Sequence, residues 1–170
     1  MQIRKCDMDN EIIEIRRGAS ADTRSADHVV SRKELEKSTA SHISDVAKAM
    51  RWFADRIEEA GERHDWTKIE YMDEFYDQFH REQTTHNGDW MDNQNGWYQS
   101  IHLKKERHHL SHSAPDDVDL IDVLEQIADC VMAGMARSGE YRSEKLPDGL
   151  LEKAYVNTVN KLLGVVKVKG

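Results

Sequence analysis

Within six consecutive positions, Arg63-His64-Asp65-Trp66-Thr67-Lys68, the chain sets an imidazole beside a carboxylate and adds an amine three residues later. Imidazole and carboxylate together suit a divalent cation of the Mn-to-Zn series, and an ammonium beside them would balance an anionic substrate. Neighbouring His and Asp side chains reach one ion only where the backbone turns sharply, as at a helix end. The same donor types recur at His42 upstream, at His102, His108 and His109, and at Asp129. The chemistry on offer is that of a metal centre, provided separated elements bring these side chains to one point.

Each residue alone also has a plainer reading. His42 can be a core histidine, since an imidazole in an apolar stripe needs a partner that fixes its tautomer. Lys68 alone is a solvated helix residue. Asp129 is either exposed or lines a pocket on the small-residue side of its helix, beside Ala133 and Ala136. Four of the nine histidines, His102, His108, His109 and His112, fall within eleven residues, a pattern also seen in surface turns that bind metal adventitiously. Adjacent residues in a helix point about 100° apart, so His108 and His109 are expected to face different ways, one to the site and one to solvent.

The elements that would position these groups are helices. Ser31 and Glu34 form a capping-box signature. After it Leu35, His42, Ile43, Val46, Met50, Phe53 and Ile57 recur at steps of three and four, which predicts a helix with a buried face containing His42 and a cap at Gly61. A second box, Thr67 with Glu70, predicts a helix with Ile69, Met72, Phe75, Tyr76 and Phe79 turned inward and His64-Asp65 in the turn before it. Residues 83–96 have no period, and a loop of that length is commonly functional; Trp90 makes it a candidate lid. Trp97, Ile101 and Leu103 predict a helix to about Arg107, with His102, Glu106 and His109 on one face. Pro115-Asp116-Asp117 predicts the first turn of a helix over about 116–138, its inner face formed by Leu120, Ile121, Leu124, Ile127, Val131 and Met135 and its end by Gly139; a last helix covers about 148–163. Ile13 and Ile15 alternate, as do Val166 and Val168, and the two segments are expected to pair as a small β hairpin. The expected fold is all-α, a compact bundle of about five to six helices over residues 31–164. Residues 1–30 would be a partly extended or mobile N-terminal extension and 165–170 a tail.

Composition bounds the function. One domain of 170 residues can bury a useful core. With 32 acidic against 24 basic side chains and a formal charge of −8, the chain lacks the basic excess of a general nucleic-acid binder. A small phosphorylated substrate is still open, because a bound cation inverts local charge. Cys6 and Cys130 stand far apart, which reads as reduced thiols in a cytoplasmic setting, with Cys130 buried. The charged first twenty residues contain no signal-peptide core, and no apolar run approaches the roughly 20 residues of a membrane helix.

The order His42, His64-Asp65, Asp129 resembles the H…HD…D signature of HD-domain metal-dependent phosphohydrolases, and His64-Asp65-Trp66-Thr67-Lys68 has the HD-x-x-K form common in that superfamily. Closer still, residues 38–137 are similar to small HD-like proteins of phage and bacteria. These carry a His-Asp-x-(Ser/Thr)-Lys segment, a later histidine and His-His pair, then an Ala-Asp helix, matched here by His102, His108-His109 and Ala128-Asp129. The match departs at Glu106-Arg107, where those proteins tend to have an Asn-Pro turn. The resemblance implies that His42, His64, Asp65 and Asp129 hold one or two divalent ions (Mn, Fe, Co, Ni or Zn, with Mg also open). It implies that a metal-activated hydroxide attacks a phosphoester, expected to be a nucleotide or nucleoside phosphate. Lys68 would neutralise phosphate charge, and His102, His108 and His109 would complete a second metal position or protonate the leaving oxygen. HD proteins often form homodimers, which carries over as an expectation. Three rivals stand beside this reading: a di-iron HD-type oxygenase, a non-enzymatic interaction protein, and a purely structural metal site.

Overall fold

The computed structural model describes residues 12–16, 28–85, 96–141 and 144–169. Most of the expected N-terminal extension, Cys6, and the lid residue Trp90 lie outside the described residues. The chain is all-α apart from one small sheet. In order come β1 (Ile13–Arg16), α1 (Arg32–Arg63), α2 (Trp66–Glu70), α3 (Met72–Thr85), a π-helical turn (Tyr98–His102), α4 (Leu103–Lys105), α5 (Leu110–Ser113), α6 (Leu120–Ser138), α7 (Leu150–Val165) and β2 (Val166–Lys169).

Contacts divide the chain into two compact units, one of Met1–Glu58 with Thr158–Gly170, the other of Glu59–Asn157. In the first unit, β1 and β2 pair in parallel, Ile13 opposite Val166 and Arg16 opposite Lys169. The alternation was read correctly, but the strands do not form a hairpin, because a hairpin reverses direction and these run the same way. Lys48 from α1 donates to the Glu14 carbonyl at 2.9 Å, tying helix to strand.

The capping box at the start of α1 forms. Ser31 N donates to Glu34 Oε2 at 2.8 Å and Glu34 N to Ser31 Oγ at 3.3 Å. Gly61 does not end the helix, which runs on to Arg63. The expected inner stripe is mostly outside: His42, Ile43, Val46 and Met50 are exposed, while Trp52 and Ala60 are buried. Periodicity identifies an apolar side of a helix without saying which neighbour covers it.

The second unit has its core where Leu110, Val118, Val123, Leu150 and Ala154 meet; a fully buried Leu or Val contributes about 1.5–3 kcal/mol there. α6 begins later than expected, at Leu120. Asp119 accepts from Ile121 N and Asp122 N, and Asp122 reaches back to Asp119 N at 2.9 Å. This box holds the first turn instead of Pro115, which closes a turn with Val118 N. Gly139, at φ 70°, ends α6 as the sequence suggests. The inner face of α6 is rotated from expectation. Asp122, Val123, Glu125 and Gln126 are buried, whereas Leu124, Ile127 and Met135 are about half exposed. No helix among the described residues is long and apolar enough to cross a membrane.

Candidate metal centre

The site belongs wholly to the second unit and is built around the end of α1. Asp65 adopts a left-handed backbone, φ 57° and ψ 25°, the one such conformation at a non-glycine among the described residues. Aspartate tolerates this region better than most side chains. The turn sets His64 Nε2 3.5 Å from Asp65 Oδ2, so both side chains of the dipeptide face one point, as the sequence required.

Thr67 was expected to cap α2 together with Glu70. Instead it is fully buried and belongs to a tertiary network. Glu106 Oε1 accepts from Thr67 N at 2.8 Å and from Thr67 Oγ1 at 2.6 Å, while Thr67 Oγ1 lies 2.7 Å from His102 Nδ1. Thr67 has one hydroxyl proton and gives it to the carboxylate, so it accepts from His102 Nδ1–H. His102 itself comes from the π-helical turn, not from a helix continuing to Arg107; α4 stops at Lys105 and Glu106 is extended, ψ 127°. Gly96 precedes that turn against Gln78, where a Cβ would stand 2.5 Å from Gln78 Nε2 and disturb the bond from Tyr98 N to Gln78 Oε1.

Because the chain is not helical at 108–109, the expectation that His108 and His109 diverge does not hold. Their ring centroids are 4.2 Å apart. His108 is buried with Nε2 3.8 Å from Asp65 Oδ1, and His109 Nε2 lies 2.8 Å from His102 Nε2. Between Glu106 and His108, Arg107 clamps the segment to the start of α6, its Nε and Nη2 at 2.7 and 2.8 Å from the two oxygens of buried Asp122. His112 is exposed and bonds only locally, to Ser111.

From α6, Asp129 Oδ1 stands 3.6 Å from His64 Nε2. One turn earlier, Glu125 Oε1 is 3.1 Å from His64 Nδ1 and 3.1 Å from His108 Nδ1. The first contact is a hydrogen bond; the second has the distance of one without its alignment. These charges explain the titration of the site. Asp129, then Glu125, raises His64 to about 10 against the burial that would lower it. The His64 imidazole beside it holds Asp129 at about 2. Burial pushes Glu125 up, but the adjacent His108 and His64 imidazoles outweigh it and leave it at about 2. Burial, with neighbouring histidines, takes His102 down to about 3 and His109 to about 4.

Three overlapping sets present one ligand atom per residue with all atoms within 4.8 Å: His64, His108 and Asp129; Asp65, His108 and His109; and Asp65, His102 and Glu106. Ligands each about 2.1 Å from an ion sit roughly 3.0–3.5 Å apart. The separations of 3.5–3.8 Å around Asp65 are those of such a shell slightly opened. Asp65 Oδ1 and His108 Nε2 are buried without hydrogen-bond partners, a costly state that a cation would relieve. The donor set therefore fits a divalent metal.

Of the expected ligands, His64, Asp65 and Asp129 come together and His42 does not. His42 is exposed on α1 and belongs to no candidate ligand group among the described residues. Lys68 pairs with Asp65 Oδ2 and lines an adjoining cleft of about 680 Å³. Phe75, Phe79 and Tyr98 form an aromatic part of its wall, and Asp129, Cys130, Ala133, Gly134 and Arg137 of α6 contribute another. Asp129 thus takes the pocket-lining reading, and Cys130 lines the cleft half-exposed instead of sitting in a core. Glu125, Arg137 and the tertiary role of Thr67 do not follow from the patterns above. Glu125 had a usable signal, since it precedes Asp129 by four residues and so shares its helix face.

An all-helical unit with a histidine-carboxylate cluster beside a cleft is the class these features define. The chain belongs to the family of unknown function DUF5662, whose model matches residues 31–164. No curated protein and no solved structure matches the chain.

Proposed function

We propose that this protein is a metal-dependent phosphohydrolase of HD type acting on a small phosphoester, with a nucleotide or nucleoside phosphate as the preferred class. The observation that carries the reading is the Asp65 carboxylate, whose two oxygens face different imidazoles: Oδ2 toward His64, Oδ1 toward His102 and His108. His64, His108, Asp65 and Asp129 would hold a first ion, and Asp65 with His102 or His109 a second. A divalent cation in that shell supplies Lewis acidity and a hydroxide nucleophile at neutral pH.

The chain's own residues account for the rest. Lys68, which pairs with Asp65 Oδ2 and lines the cleft, would meet a phosphoryl oxygen there, and Arg137 offers a second cationic group. Phe75, Phe79 and Tyr98 provide faces on which a base can stack. His109, with Nε2 2.8 Å from His102 Nε2 and its ring on the cleft, is placed either to join the second ion or to face the leaving oxygen. A metal-supplemented screen of the purified protein against nucleotides, cyclic nucleotides and nucleoside monophosphates tests the proposal. Turnover that disappears on chelation supports it; absence of turnover in protein with confirmed bound metal counts against it.

The number of imidazoles favours one second reading. Four rings beside the carboxylates of Asp65, Asp129 and Glu106 are an imidazole-rich set that also suits iron, and a di-iron oxygenase would use the same side chains. Iron content and optical spectra of anaerobically prepared protein separate the two.

A further inference from the structure

We infer that Glu125 is the positioning residue of this centre, one carboxylate that fixes the ring orientation and proton position of two metal-facing histidines at once. The inference rests on the metal reading above and extends it to a residue that is not itself a ligand.

Glu125 is buried on α6, one turn before Asp129. Its Oε1 meets the Nδ1 atoms of both His64 and His108 at 3.1 Å, although these histidines come from opposite sides of the sequence. Their rings are 4.4 Å apart between centroids, so a single oxygen can serve both. An ionised carboxylate only accepts, so the bonded Nδ1 of His64 must carry hydrogen, and Nδ1 of His108 faces the same oxygen at the same distance without a bond's alignment. In a neutral ring the lone pair then falls on Nε2. Those Nε2 atoms are the ones that stand 3.6 Å from Asp129 and 3.8 Å from Asp65. Thr67 imposes the same pattern on His102, since it accepts at Nδ1 and leaves Nε2 toward Asp65 Oδ1 at 3.5 Å. Three imidazoles thus present Nε2 to one carboxylate, and two of the three have Nδ1 at 3.1 Å from the same glutamate oxygen.

Glu125 has little else to do. Its Oε2 is buried without a hydrogen-bond partner, so it is not a node of a wider structural network. Carboxylates that accept from the far nitrogen of a ligating histidine orient the ring and make it more basic, and their loss typically costs about 10- to 100-fold in metal affinity. A carboxylate shared by two ligands places both contributions on one side chain.

The test is titration of the chelator-treated protein with Co(II), followed by its visible absorption, in the unaltered chain and in Glu125→Gln, Glu125→Ala and Val123→Ala. The last lies on the same helix and trims the core without touching the histidines. The expected result is Co(II) affinity lowered about 10-fold or more in Glu125→Gln and further in Glu125→Ala, with altered ligand-field bands. Val123→Ala should lose thermal stability and keep both affinity and spectrum. Glu125→Gln that binds Co(II) with unchanged affinity and bands overturns the inference. If Glu125→Ala does not fold, the isosteric Gln variant still decides the matter. No Co(II) binding by the unaltered protein defeats the metal reading itself, an outcome distinct from an indifferent Glu125.

Discussion

Asp65 Oδ1 lies 3.5 Å from His102 Nε2, across 37 residues of sequence and between a left-handed turn and a π-helical turn. Both irregularities serve this approach. A regular helix at either place would direct one of the two side chains elsewhere. Departures from ideal backbone gather at functional sites because surrounding contacts must hold them, and here the contacts are identifiable: Thr67 and Glu106 behind His102, and Lys68 beside Asp65.

Asp65→Asn should separate ligation from folding. Asparagine also tolerates a left-handed backbone, so the metal-free variant should melt within a few degrees of the unaltered chain. It should bind no ion tightly and show no metal-dependent turnover. Retention of full metal content by Asp65→Asn would place the centre elsewhere.

His42→Ala should leave metal content and any turnover within about twofold, because the residue is exposed and belongs to no candidate ligand group among the described residues. Addition of metal at 100 times its Kd should stabilise both proteins by about 2.7 kcal/mol. Thermal melts with and without metal check this. A variant that loses that stabilisation would mean His42 reaches the ion after all.

Much of the fold was legible, and so was half of the site. The Ser31-Glu34 box, the Gly139 cap and the His64-Asp65 turn are local signals, set by residues three or four apart. What escaped depended on distant partners. Thr67 and Glu70 have the spacing of a capping box, yet Glu106, 39 residues on, takes the Thr67 amide. The apolar period of α6 was real, but acids and Gln126 on the other side are the buried ones, because that side faces charged partners at His64, His108 and Glu144. His42 looked like a ligand from its place on the apolar stripe of α1 and its order in the sequence, yet it is exposed and belongs to no candidate ligand group among the described residues.

Thr67→Val tests the link between α2 and His102. The change keeps shape and removes the hydroxyl, leaving Glu106, buried to 3% exposure, with one bond fewer. A loss of about 1–3 kcal/mol follows for an unsatisfied buried group. Chemical denaturation should show it, together with weaker metal binding. Unchanged stability would mean that the hydroxyl is dispensable.

Arg107→Ala should cost more. Asp122 is only 1% exposed and receives both arms of the guanidinium. A buried carboxylate that loses its cation destabilises by about 3–5 kcal/mol. The same clamp fixes the segment that carries His108 and His109, so metal affinity should fall as well.

The metal-free protein should be most stable in mildly acid solution. His64 rises from 6.5 to about 10 on folding, so its contribution is complete below pH 6.5 and fades as pH climbs through about 10. Glu125 falls from 4.5 to about 2 and Asp129 from 3.8 to about 2, so theirs is present above pH 4.5 and fades toward pH 2. Both operate between pH 4.5 and 6.5, while His102, lowered to about 3, and His109, lowered to about 4, take stability away as pH falls below 6.5, where the unfolded rings bind protons and the buried ones do not. Denaturation midpoints across pH in chelator-treated protein should therefore peak near pH 6.5; a peak at pH 9 or below pH 5 would contradict these assignments.

The most direct measurement is anomalous diffraction from crystals grown with Mn(II) or Zn(II). One or two peaks should stand beside Asp65, each within bonding distance of its carboxylate and of Nε2 atoms from His64, His102 or His108, with none at His42. A metal-soaked crystal without a peak at Asp65, or with its ion on exposed His112, would contradict that placement.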